Sequence, residues 1–221
     1  MPFEVLTYES DTYPTEAAGY ISDAFSGGTL VLTGGRVAKS IYPHLAGRRS
    51  DWAGTQIAYS DDRCVPPDDP ASNYGMTKRL FLDAAEGVTV HRIKGELPPE
   101  QAAAKYAEAI RPLVHHGFDL LLLGMGADAH IGAMFPGSPA LDSSSLAAAV
   151  DRPDGMKGVT LTPPAMLSAR KIVLTVTGYE KAATVRRAVT GDEAPAECPV
   201  RLLAGHPDVT FLLDRAAAAS L

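Results

Sequence analysis

Asp128 and His130 stand two positions apart, just past an apolar run, Leu120–Leu123, that breaks into Gly124-Met125-Gly126. One imidazole can take a proton from water and later return it to a leaving oxygen. A neighbouring carboxylate can orient the ring and stabilise its cationic form. The same two residues also suit an Asp N-cap followed by a polar His on a first helical turn, and residue type alone leaves both readings open. No serine sits in a G-x-S-x-G elbow, so a serine-hydrolase triad is not supported. Cys64 has no candidate base beside it in sequence and reads as structural or incidental.

Around this pair the chain offers groups suited to an anion. Thr33-Gly34-Gly35 follows an apolar stretch and precedes a helical pattern; glycines there let backbone N–H groups approach an anion at a positive helix end. A tight turn that binds nothing is the alternative. Arg63 follows two acids, Asp61 and Asp62, and is either an anion clamp or the partner of one of those carboxylates. Lys181 is either a further anion contact or a solvated lysine. Gly124-x-Gly126 lacks the third glycine of a dinucleotide fingerprint, so no nicotinamide cofactor is expected.

The elements that must position these groups read as alternating strands and helices. Strands are expected at Thr29–Leu32, Gln56–Tyr59, Val88–Ile93, Leu120–Leu123, Val159–Thr162, Lys171–Thr177 and Val209–Leu213. Helices are expected over Thr12–Phe25, Val37–Leu45, from Ser72 through Leu82, Glu100–His115, Tyr179–Ala188 and Asp214–Ala219, with short turns at Pro163-Pro164 and Pro199–Leu203. Asp142–Lys157, rich in Ser, Ala, Asp and Gly, is the expected mobile stretch. The layout predicts an α/β fold: a doubly wound, mostly parallel, Rossmann-like sheet with helices on both faces. In such a sheet ligands bind beyond the carboxyl ends of strands. Four of those ends are polar or glycine-rich: Thr33–Arg36, Ser60–Arg63, Gly124–His130 and Thr177–Lys181.

The 221 residues suit a single domain spanning 1–221, with apolar residues at 46% and charged residues at 21%. A net charge of −6 gives no argument for nucleic acid or an anionic membrane, so an anionic ligand must be met by local cations. The two cysteines form no C-x-x-C pair, and no disulfide framework or structural metal is expected. No signal peptide or membrane span is seen, and a soluble cytoplasmic protein is the expectation.

Taken together, the motifs resemble the 6-phosphogluconolactonases, within the wider glucosamine-6-phosphate isomerase/deaminase superfamily. Thr29-Leu-Val-Leu-Thr-Gly-Gly35 is similar to the family's first phosphate loop. Trp52, Tyr59-Ser-Asp-Asp-Arg-Cys-Val-Pro66 and Ser72-Asn-Tyr74 resemble its W…DER-x-VP…SNY block. Val90-His-Arg-Ile93 with Gly95-Glu96 resembles a segment that usually follows. Gly124–His130, continuing to Phe135-Pro-Gly137, resembles the signature GxGxDGHxASLFPG. Thr160-Leu-Thr-Pro-Pro164, Ala169-Arg170 and Gly178-Tyr-Glu-Lys181 are similar to the later blocks.

The resemblance implies hydrolysis of 6-phospho-D-glucono-1,5-lactone to 6-phospho-D-gluconate in the oxidative pentose phosphate pathway, without metal or organic cofactor. It implies His130 as the general base and Asp128 as its acidic neighbour. It places Thr33, Gly34 and Gly35 around the sugar phosphate, and Arg63 and Lys181 where charge is gathered for the phosphate. The oxyanion donors are either backbone amides of the glycine loops, Gly124 and Gly126 among them, or a cationic side chain. The implied partner is a small phosphorylated sugar lactone, and a monomer or weak dimer is expected. The chain departs from the family pattern at four places: Ala129 for the usual Gly, Ile131 for Thr, Arg36-Val37-Ala38 where a hydroxyl residue and then Pro are usual, and Gly158 for an Arg, with Lys157 beside it. Arg36 replaces the hydroxyl with charge. Two other activities are weighed: an amino-sugar-phosphate isomerase or deaminase, and a sugar-phosphate-binding module without turnover.

Overall fold

The computed structural model describes residues 3–48 and 52–221. Met1 and Pro2, the first residues of the stretch read for a signal peptide, lie outside it, as do residues 49–51. Among the described residues ten strands run in chain order: β1 (Glu4–Tyr8), β2 (Thr29–Leu32), β3 (Gln56–Tyr59), β4 (Asp61–Arg63), β5 (Thr89–Val90), β6 (Leu120–Gly124), β7 (Ala147–Asp151), β8 (Lys157–Leu161), β9 (Lys171–Val176) and β10 (Val209–Asp214). Six α-helices interleave with them: α1 (Tyr13–Ala24), α2 (Gly35–Ala46), α3 (Asn73–Leu80), α4 (Pro99–His116), α5 (Pro163–Met166) and α6 (Ala182–Thr190).

Seven strands form one parallel sheet in the order β1-β10-β9-β6-β2-β3-β5. The central strands β2 and β10 are buried at every residue, as is β6 up to Leu123, because helices cover both faces. Each helix buries one stripe: Tyr13, Ala17, Ala18 and Ile21 on α1; Ala38, Ile41, Tyr42 and Leu45 on α2; Ala102, Ala103, Tyr106 and Ile110 on α4. From β2 the chain moves outward to β3 and β5. It then returns beside β2 as β6 and continues the other way through β9 and β10. The reversal opens a crevice between the carboxyl ends of β2 and β6.

Two buried tyrosines close the strand ends at this crevice. The Tyr42 hydroxyl accepts from Thr33 N at 3.0 Å and donates to Thr33 O at 2.7 Å. The Tyr106 hydroxyl does the same for Tyr59, at 2.7 and 2.6 Å. Each satisfies a peptide unit at the point where its strand leaves the sheet, a place where a buried orphan would be costly.

The structure differs from the sequence expectation in several elements. Asp61–Arg63 is not a loop end but strand β4, which pairs antiparallel with β8 in a second sheet, β4-β8-β7. Asp142–Lys157, expected to be mobile, begins at the last residue of a 3₁₀ turn, Pro139–Asp142, and contains strand β7, which lies against α4. Its alanines, Ala147–Ala149, allow that close approach. The edge strand β1 was not expected. Val88–Ile93 pairs only through Thr89–Val90, with His91 N still donating to Ile57 O, because β3 turns away into the second sheet after Tyr59. Tyr179–Ala188 divides into a 3₁₀ turn, Tyr179–Lys181, and α6. The segment after Asp214 forms turns rather than a helix.

Candidate active site

All four polar strand ends meet at one cleft. Thr33, Gly34, Gly35 and Arg36 line it from β2 and α2; Asp61 and Arg63 from β4; Gly124, Met125, Gly126 and His130 from β6; Thr175–Thr177 and Lys181 from β9. Asp128 stands directly behind His130. Its Oδ1 accepts from the ring Nδ1 at 2.6 Å and from His130 N at 3.2 Å. With Nδ1 facing Asp128, Nε2 is the ring nitrogen left for other contacts, and His130 lines the cleft. Burial works against the Asp128 charge. The hydrogen bond from His130 and the pair's mutual attraction outweigh it, and the carboxyl is held down to about 2.

The loop that carries this pair is anchored at alternate carbonyls. Lys181 Nζ donates to Met125 O at 2.8 Å, Thr184 Oγ1 to Ala127 O at 2.6 Å, and Val200 N to Ala129 O at 3.1 Å. Gly126 N closes the loop on His130 O at 2.9 Å. A Cβ at Gly126 would overlap both His130 Nδ1 and Asp128 Oδ1, so only glycine fits beside the pair. Ala129, by contrast, is held at φ 69°, a conformation that favours glycine, and its methyl is fully buried. Ile131 is buried beneath the loop, bridging to Met125 and Met134, so apolar packing fills the place of a hydroxyl. The Phe135 ring packs 4.6 Å from His130.

On the opposite wall the two neighbouring acids divide their work. Asp62 points away from the cleft and accepts from the backbone N–H groups of Arg63, Asn73 and Tyr74 at 2.8, 2.6 and 3.0 Å. Burial pushes its carboxyl up, and those three donors pull it back. It thus ties β4 to the start of α3. Asp61 faces the cleft, where Ser60 Oγ donates to it at 2.8 Å and Asn73 Nδ2 at 3.4 Å. Neither acid pairs with Arg63, whose Nη1 donates instead to Asn73 Oδ1 at 2.5 Å. Asn73 in turn lies against Gly34, where a Cβ would overlap its amide. Burial lowers the Lys181 ammonium below the ordinary lysine range. Arg36 sits at the cleft mouth in a 2.5 Å ion pair with Glu180, both largely exposed. Lys157 is outside the cleft, paired with Asp151. Cys64 is half-buried, and burial raises its thiol, which disfavours the nucleophilic thiolate.

One cleft residue had no sequence signal: Arg152, which follows β7 in the segment expected to be mobile. Its side chain is 9% exposed, lies 3.7 Å from Asp61 Oδ2, and stacks its guanidinium 5.5 Å from the Phe135 ring centre.

Residues 14–211 match the family described as glucosamine-6-phosphate isomerases/6-phosphogluconolactonase. A 6-phosphogluconolactonase of Haemophilus influenzae is 31% identical over 197 residues, covering 85% of each chain. The fold superimposes on a 6-phosphogluconolactonase from Trypanosoma cruzi with a TM-score of 0.88 at 22% identity, covering 99% of this chain and 97% of that one. It fits a monomeric glucosamine-6-phosphate deaminase equally well, TM-score 0.88 at 22% identity over 99% of this chain and 100% of the other, so the fold alone does not separate the two activities. The extent of the sequence match places the chain in the glucosamine-6-phosphate isomerase/6-phosphogluconolactonase family.

Proposed function

We propose that this protein hydrolyses 6-phospho-D-glucono-1,5-lactone to 6-phospho-D-gluconate, the lactone-opening step of the oxidative pentose phosphate pathway, with His130 as general base. The observation that carries this reading is the 2.6 Å Asp128–His130 pair, with His130 lining a cleft rimmed by cations. A δ-lactone is an ester. His130 takes a proton from water as it attacks the lactone carbonyl; Asp128 steadies the imidazolium that forms. The tetrahedral intermediate collapses by releasing the ring oxygen, which receives the same proton from His130. The base is then regenerated and the acid product leaves. Arg63, Lys181 and the α2 amino end after Gly34-Gly35 hold the phosphoryl group, and this remote binding energy fixes the carbonyl carbon against the base. Arg36 adds charge at the mouth.

The relatives named as 6-phosphogluconolactonases support this choice over the deaminase. So does Asp61: with Ser60, Asn73 and Arg152 around it, this second carboxylate is already engaged rather than free to abstract a proton beside a carbonyl. The test is a coupled assay on freshly made lactone, corrected for spontaneous hydrolysis. Wild type is expected to turn over and His130→Ala to lose at least about 100-fold in kcat while keeping its fold. Near wild-type turnover by His130→Ala removes His130 as the base. Ammonia release from glucosamine 6-phosphate without lactone hydrolysis would assign the deaminase activity instead.

A further inference from the structure

We propose that Arg152 is a direct contact of the substrate's phosphoryl group, an inference that rests on the phosphosugar-lactonase reading of the cleft. Arg152 leaves β7 at the hairpin turn, where its N–H donates to Met156 O and its own carbonyl accepts from Gly155 N. The side chain runs back over the second sheet into the cleft. Gly158 makes room for it: a Cβ there would stand 3.1 Å from Arg152 Cδ and 3.1 Å from Asp62 O. The missing side chain at Gly158 and the arginine six positions earlier are thus one arrangement. The guanidinium reaches the cleft from the neighbouring strand because the strand beneath it has been cleared.

The remaining cleft cations each have a partner in the protein. Arg36 is held by Glu180, Lys181 by Met125 O and Arg63 by Asn73. Arg152 differs. Its Nε donates to Asp154 Oδ2 at 3.3 Å and its charge is paired with Asp61 Oδ2 at 3.7 Å, but that separation is too long for a hydrogen bond, and the buried Nη1 has no acceptor. A buried guanidinium N–H without an acceptor is unfavourable until a ligand completes it. Phe135 and Asp61 fix the guanidinium plane, so little freedom is lost when that ligand arrives. Arg63 approaches the same carboxylate region from β4. Two guanidiniums converging on one wall suit a dianion with several oxygens, which can satisfy both forks at once.

The experiment is calorimetric titration of wild type, Arg152→Met and Arg152→Lys with 6-phosphogluconate and with gluconate, alongside thermal melts. Arg152→Met is expected to lose at least about tenfold in affinity for 6-phosphogluconate and to bind gluconate as wild type does, with a cooperative melt that shows it folded. Arg152→Lys keeps the charge without the fork and is expected to recover part of the loss. The proposal is overturned if Arg152→Met binds 6-phosphogluconate within twofold of wild type. It is equally overturned if gluconate binding falls by the same factor, which would place Arg152 at the acid end, or if Arg152→Lys melts like wild type yet binds no better than a poorly folded Arg152→Met. A wild type that binds 6-phosphogluconate but leaves the lactone unhydrolysed refutes the lactonase reading alone.

Discussion

Ala129→Gly is the sharpest perturbation of the catalytic loop, because Ala129 breaks a local rule at the residue next to His130. Its φ of 69° costs an L-residue about 1–2 kcal/mol. Glycine would relieve that cost. It would also add about 0.4–1 kcal/mol of chain entropy to the unfolded state. In addition it would remove a methyl that is fully buried, worth about 0.8 kcal/mol. These terms nearly cancel, so the expected change in unfolding free energy is within about 1 kcal/mol, or about 4 °C in Tm for a chain of this size. Activity should also hold, within about threefold. The loop is pinned at Met125 O, Ala127 O and Ala129 O by donors from three other segments, and His130 is pinned by Asp128, none of which needs the methyl. Urea unfolding and the coupled lactone assay read both quantities. A tenfold gain in kcat for Ala129→Gly would refute the reasoning, since it would show that alanine turns His130 away from its working position. Ala129→Val is the control. A β-branched residue at positive φ in a filled site should lose at least about 2 kcal/mol.

Gly126→Ala should lower kcat by about 100-fold or more with near-UV circular dichroism unchanged, because the new methyl must displace His130 or Asp128; retained kcat would mean the pair is freer than its geometry implies. Glu180→Gln releases Arg36, and since the pair is largely exposed and therefore weak, KM for the phosphorylated lactone should fall by at most about fivefold at low salt and the difference should fade in ~0.5 M salt. A rise in KM would instead give Glu180 a role in holding the loop. Asp128 has its carboxyl held below its ordinary 3.8, at about 2, so its ionised form adds stability above pH 4 that disappears as pH falls toward 2. Acid-induced melting should therefore show wild type losing its advantage over Asp128→Asn across that window; parallel curves would count against the pairing.

Much of this site can be read from sequence because a parallel sheet does the assembling. Once Leu120–Leu123 and Thr29–Leu32 are recognised as covered strands, their carboxyl ends must share one edge, and whatever polar residues follow them are neighbours. Arg152 escaped because its strand is defined by a partner rather than by its own residues. Ala147–Ala149 carries no strand preference; it is extended because β8 pairs with it and α4 leaves space only for small side chains.

Asp61-Asp62-Arg63 shows the same limit more sharply. Read as a loop, the two acids are interchangeable, and Arg63 pairs with either one. Read as a strand, they cannot be, since successive side chains face opposite ways. That alternation puts Asp61 and Arg63 into the cleft and turns Asp62 to the first turn of α3, as observed. What the local sequence lacked was the antiparallel partner, Gly158–Thr160, almost a hundred positions later. The glycine that admits Arg152 therefore sits opposite Arg63 in the pairing register, so the two arginines of this wall are set by one strand pair. A change that breaks the β4–β8 pairing should weaken phosphosugar binding through both at once, and the combined loss for Arg63→Ala with Arg152→Met should fall short of the sum of the single losses if they grip one phosphoryl group.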